Sequence, residues 1–154
     1  MKKALLLRSA IVAALGGLLF GFDTAVISGT EEALRALFQL SDTWYGFTVA
    51  SALIGTIVGS ITVSKPSDWF GRKKMLLTMA VLYFVSAVGS ALAWDWYSLL
   101  AFRFIGGLGV GGATVVSPTY IAEISPARMR GRLVAVTQFN IVFGILLAFL
   151  SNYI

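Results

Sequence analysis

The chain has 154 residues, 58% of them hydrophobic and 12% charged, with a formal net charge of +5 and a mean hydropathy of +0.86. That balance lies outside the globular range and inside the integral-membrane one. Cysteine and histidine are both absent, which excludes disulfides, thiolate nucleophiles, Cys/His zinc sites and histidine general bases, so neither an enzyme nor a metal site is expected.

Residues 9–29 are apolar except for Asp23 and follow Lys2, Lys3 and Arg8, a length that predicts a first membrane span. A basic start before an apolar run also describes a signal peptide. No convincing small-x-small cleavage site follows, and an aspartate follows the apolar core, so a retained helix is expected. Residues 30–43 carry Glu31, Glu32 and Asp42 and read as a loop or short surface helix. A second span over 44–63 opens with Trp44 and Tyr45, whose rings suit a membrane interface. Residues 64–74 form a basic connection with a turn signal at Pro66. A third span over 75–93 leads into the turn Trp94-Asp95-Trp96-Tyr97. A fourth covers about 97–122, residues 125–132 form a basic loop with Pro126, and a fifth runs over 133–154. The expected fold class is all-α: a polytopic membrane helix bundle of about five transmembrane helices.

Lys2, Lys3, Arg8, Lys65, Arg72, Lys73, Lys74, Arg128, Arg130 and Arg132 fall on one side of this topology, and Arg35 falls on the other with Glu31, Glu32, Asp42 and Asp95. The asymmetry predicts a cytoplasmic N-terminus. It also accounts for the net charge without nucleic acid, which would need basic residues gathered on one soluble face. Small residues recur every four positions, at Gly17 and Gly21, at Ser51, Gly55 and Gly59, and at Gly107 and Gly111. Such stripes let helices pack closely, here within the chain rather than between chains. Gly107, Gly109 and Gly112 match a dinucleotide-binding pattern, but that pattern works only at a strand-to-helix turn, and these glycines lie inside a long apolar helix.

Two charges lie deep in spans. An arginine in hydrocarbon costs about 2.5–3.5 kcal/mol on insertion scales, so Arg103 needs a partner or a water-filled cavity. Asp23 lies roughly 22 Å past the level of Arg8, hence roughly 8 Å below the opposite face, and Arg103 lies roughly 9 Å below that same face. The agreement predicts that Asp23 and Arg103 face each other in at least one state. Two roles are open: a permanent buried ion pair, or a proton switch in which Asp23 is protonated when Arg103 moves away. Pro118 cannot donate to the carbonyl of Thr114, so a kink or local unwinding is expected there. Gln138 and Asn140 either bond between helices or line an aqueous cavity for a polar solute.

Taken together, GGLLFGFDTAVISGT on the first span, RFIGGLGVGG and SPTYIAEISPARMRGRLV around the fourth, and Gln138 with Asn152-Tyr153 on the fifth resemble the sugar porter family of the major facilitator superfamily. The likeness is greatest to its bacterial proton-coupled xylose symporters and covers practically the whole chain. The resemblance implies transmembrane transport of a pentose or hexose by proton symport and alternating access, with the proton as coupling ion and no other cofactor. It assigns Asp23 as the protonation site with Arg103 as its partner, Phe20 to the sugar pocket and Gln138 to sugar hydroxyls. Family facilitators usually have asparagine where this chain has Asp23, which favours symport. Asp68, Gly71, Arg72 and Lys73 resemble the family's loop between the second and third spans, and with Glu123 and Arg130 would form a cytoplasmic gate. Ser64 replaces the opening glycine of that loop motif and Trp69 its arginine, which weakens the gate.

The family ordinarily has about twelve spans in two halves, so 1–154 is expected to be part of the N-terminal six-helix half of a transporter in a bacterial inner membrane. Its partners would be the monosaccharide, the bilayer and the C-terminal helices, and the chain would be inactive alone. The alternative reading is a non-transporting membrane sugar sensor or interaction protein.

Overall fold

A computed structural model describes residues 3–153, with side chains described from residue 9 onward. Seven helices follow one another: α1 (Lys3–Gly29), α2 (Glu31–Phe38), α3 (Asp42–Thr62), α4 (Ser64–Phe70), α5 (Arg72–Ala91), α6 (Trp96–Ile124) and α7 (Arg130–Tyr153). Among the described residues, five segments are long and apolar enough to cross a membrane: Ser9–Gly29, α3, α5, α6 and α7. No strand occurs among the described residues. Helices suit this composition because hydrocarbon offers no hydrogen bonds, so each segment must satisfy its backbone internally. Lys2 and Ile154 lie outside the described residues, as do the side chains of Lys3 and Arg8.

The connections differ from the sequence reading in several places, since α3, α5, α6 and α7 each begin one to three residues before the expected span. Residues 64–70, expected as a plain connection, form α4, because Pro66 sits in the first turn, where a missing N–H costs nothing. Gly71 then adopts φ +86° and ψ 146°, a conformation close to glycine-only backbone, and this break lets α5 begin at Arg72 rather than at Met75. Pro118 lies inside α6, and helix continues unbroken through it. Of the expected kink or local unwinding, the unwinding does not occur; the neighbouring Val116, Ser117 and Ile121 are almost wholly buried there. At the start of α6, the Asp95 carboxylate accepts the Ser98 N–H at 2.7 Å, an N-cap that ends the Trp94–Tyr97 turn one residue earlier than expected.

The main helix contacts are α1 with α7, α3 with α6, and α5 with α6. The first two are backbone-to-backbone. Gly55 and Gly59 face the carbonyls of Phe104 and Leu108, while Gly107 and Gly111 face those of Ala52 and Thr56. Gly21 lies against the Ile141 carbonyl and Gly144 against that of Leu18, so the small-residue stripes serve packing within the chain. Large apolar side chains point outward, among them Ile61, Leu77, Phe84 and Phe139. The largest fully buried side chains are only Ile121, Thr48 and Ser117. Polar side chains tie the helices further: Ser86 donates to the Phe102 carbonyl at 2.6 Å, Asn140 to that of Ala14 at 3.0 Å and Ser117 to that of Ala13.

Candidate functional site

A cavity of about 740 Å³ opens on the face where α1, α3, α6 and α7 converge, lined by Phe20, Thr56, Ser60, Thr114, Gln138 and Ile141 among others. Close glycine packing draws α3 against α6 and α1 against α7, which leaves the concavity between the two pairs. Gln138 is exposed and bonds to no other side chain or backbone group among the described residues, so its amide is available as both donor and acceptor. Asn140, two residues on, is consumed by α1. The hydroxyls of Thr56, Ser60 and Thr114 donate to carbonyls of their own helices, at 2.9, 2.8 and 2.8 Å, and their oxygens keep acceptor capacity toward the cavity. These three were missed in the sequence, where the signal was available as hydroxyls at four-residue spacing, Thr56 and Ser60, beside the glycine stripe.

Asp23 and Arg103 lie within electrostatic reach of each other, yet they form no ion pair within 4.0 Å among the described residues. The Arg103 Nε is buried with no hydrogen-bond partner. Tyr83 on α5 is also within reach of both charges. It borders a second cavity of about 840 Å³ between α1, α5 and α6, which Leu19, Gly109 and Lys73 help line. Asp23 and Arg103 are thus both part-buried, near enough to influence one another and without an N···O contact within 4.0 Å among the described residues.

At the α4 end of the bundle, Arg72 joins two segments. Its Nη1 donates to Asp68 Oδ1 at 2.5 Å, and its Nη2 and Nε both lie 3.1 Å from Glu123 Oε1. One guanidinium therefore binds the end of α4 and the end of α6. Arg130 is exposed at the first turn of α7 and makes no ion pair among the described residues. Trp69 is 80% exposed, so the residue that departs from the loop motif takes no part in this cluster.

The α2 end carries a second arginine cluster that the sequence reading passed over. Arg35 bonds Glu31 through Nε at 3.0 Å and Nη2 at 2.8 Å, pairs with Asp42, and stands 4.8 Å from the centre of the Tyr45 ring. Asp42 foremost, and then Glu31, hold the Arg35 guanidinium above the ordinary arginine pKa, so it stays charged at any working pH. The four-residue spacing of Glu31 and Arg35 was the available signal. The contacts with Asp42 and Tyr45 were not legible before the chain folded back.

The family model for sugar (and other) transporters matches residues 9–154. The chain is 46% identical over 142 residues to the glucose transport protein of Synechocystis sp., covering 92% of this chain and 30% of that protein. It is 45% identical over 169 residues to the D-xylose-proton symporter of Escherichia coli K12, covering 93% and 34%. Among solved structures, the major facilitator superfamily proton:xylose symporter XylE bound to 6-bromo-6-deoxy-D-glucose superimposes with a TM-score of 0.89 at 44% identity, over 97% of this chain and 37% of that one. The inward-open conformation of E. coli XylE gives 0.88 at 44% identity, over 96% and 39%. The chain thus spans about a third of the length of the curated relatives it matches.

Proposed function

The chain belongs to the sugar transporter family of the major facilitator superfamily, an integral-membrane family of transporters rather than enzymes, and from that premise we propose that it forms the N-terminal part of a proton-coupled monosaccharide symporter. What supports this reading is the nearness of Asp23 on one apolar helix to Arg103 on another, within electrostatic reach but with no ion pair within 4.0 Å among the described residues. A charge left alone in hydrocarbon is penalised. Movement of Arg103 toward Asp23 therefore favours the carboxylate, and its movement away favours the protonated acid. Conformation and protonation are thereby linked, which is what coupled transport requires.

The cavity bordered by Phe20 and Gln138 falls within the usual range of about 300–1,000 Å³ for small-ligand sites. It suits a pentose or hexose, with the Phe20 ring against the sugar's apolar face and Gln138 bonding its hydroxyls. The rest of the pocket would come from the C-terminal helices of the complete transporter. Asp68, Arg72 and Glu123 act as a cytoplasmic gate that holds the outward-facing state. Arg130 is assigned to the same gate, as the charge that meets Glu123 when Arg72 withdraws. The basic residues at the α4 end support a cytoplasmic N-terminus in a bacterial inner membrane.

The test places this chain in the corresponding segment of the E. coli D-xylose-proton symporter and measures uptake of radiolabelled monosaccharide against external pH. Accumulation driven by the proton gradient is expected, and Asp23→Asn should abolish it while equilibrium exchange survives. Accumulation that persists in Asp23→Asn with its pH dependence intact would refute the coupling role.

A further inference from the structure

The one basic residue between Arg8 and Lys65 is Arg35, and the structure uses every edge of its guanidinium. The Glu31 carboxylate holds it from its own helix α2, Asp42 holds it from the first turn of α3, and the Tyr45 ring lies beneath it. A planar fork fixed on two sides is a rigid weight on an aromatic face. Tyr45 is itself tied below, since its hydroxyl donates to the Ile27 carbonyl in the last turn of α1 at 3.3 Å. Ile27 lies one helical turn, about 6 Å, beyond Asp23.

We propose that Arg35 and Tyr45 form an outer clamp over Asp23 and Arg103, with Tyr45 as the plug that limits access of water and protons from outside and Arg35 as the positioning residue that seats it. The proposal rests on the reading of Asp23 and Arg103 as the coupling pair. Tyr45 is half-buried, the Arg35 guanidinium lies over its ring, its hydroxyl is tied to the end of the helix that carries Asp23, and Arg103 is within electrostatic reach of that hydroxyl. Glu31 and Asp42 face Arg35, and Asp23 and Tyr83 are within reach of Arg103. The Ile27 carbonyl also receives the Thr30 N–H at 3.2 Å and the Thr30 hydroxyl at 3.0 Å. Tyr45 is therefore the longest of three donors on one acceptor, the bond best suited to break when the clamp opens. Loss of Arg35 frees the ring to rotate outward while leaving the helix bundle, built on glycine contacts elsewhere, in place.

The chain has no cysteine, so a single introduced thiol reports access directly. Asp23→Cys, expressed in right-side-out membranes, is exposed to a membrane-impermeant charged thiol reagent, alone and combined with Arg35→Gln, Arg35→Lys or Tyr45→Ala. Slow labelling is expected when Asp23→Cys stands alone. Arg35→Gln and Tyr45→Ala should speed it by roughly three- to tenfold, a modest range because the ion pairs of Arg35 are partly screened by solvent. Arg35→Lys, which keeps the charge but not the fork, should fall between. Ser60→Cys, toward the opposite end of the bundle, should keep its labelling rate in inverted membranes. Labelling at position 23 that is already fast without a second substitution, or unchanged by Arg35→Gln and Tyr45→Ala, overturns the clamp. A parallel rise at position 60 overturns it too, since that reports a loosened fold. The readout needs no transport, so a clamp that responds in a protein that fails the pH-dependent uptake test would leave this inference standing and remove the coupling role.

Discussion

Gly107→Ala is a direct test of how α3 and α6 are held together. A methyl group at position 107 would stand 2.2 Å from the Ala52 carbonyl oxygen, 2.9 Å from the Thr56 nitrogen and 3.0 Å from the Gly55 Cα, where ordinary contact begins at 3.4 Å. All three atoms are backbone, so no rotamer change relieves the overlap, and α3 and α6 must separate by about 1 Å. A gap of 0.5–1 Å forfeits roughly a quarter to a half of each dispersion contact along the seam, and overpacking of this kind costs about 1–3 kcal/mol. Alanine also recovers about 1 kcal/mol of helix propensity over glycine, which conceals part of the clash. Gly46→Ala separates the two effects. Position 46 lies in α3, the helix that Gly107 of α6 packs against, with nothing within 4 Å of its would-be Cβ, so it shows the propensity gain alone. Stability is measured by titrating purified protein in mixed micelles with dodecyl sulfate and following helix loss by circular dichroism. Gly46→Ala is expected to be neutral or stabilised, and Gly107→Ala to lie about 1–3 kcal/mol below it. Equal stability of the two variants would refute the claim that backbone contact through Gly107 joins α3 to α6.

Two further outcomes follow from the α4 end of the bundle. Gly71→Ala places a side chain at φ +86° with open space around it, so its cost of about 1–3 kcal/mol is purely conformational; Gly131→Ala, equally open but without a positive φ, should show none of it in the same titration. Glu123→Gln and Arg72→Ala each remove the link between α4 and the end of α6; both should raise thiol labelling of Ser60→Cys from the cytoplasmic side, and high salt should produce part of the same rise with Arg72 and Glu123 intact, since the Arg72 contacts are solvent-accessible. Salt-independent labelling, unchanged in both variants, would remove Arg72 from the gate.

The sequence carried the membrane class and the five spans, and it set Asp23 and Arg103 at one expected depth, because each follows from quantities that add along a chain: hydropathy over about twenty residues and a rise of about 1.5 Å per residue. Helix starts shifted by up to three residues, at α5 and α7, since caps such as Gly71 depend on backbone angles rather than composition. Tertiary structure decided the rest. Depth arithmetic brings Asp23 and Arg103 to one level but holds no information on rotation about the helix axes, so it could not tell that they lie in reach of each other without an ion pair among the described residues. In the same way, Gln138 and Asn140 were equivalent as polar residues early in the last span. Packing of α7 on α1 gave Asn140 to the Ala14 carbonyl and left Gln138 at the cavity. Arg35 read as a surface charge until the return of α3 set Asp42 and Tyr45 against it. Periodicity and length are properties of a segment and can be read from it, whereas a site is made where segments cross, at angles that the glycine contacts determine only once the helices meet.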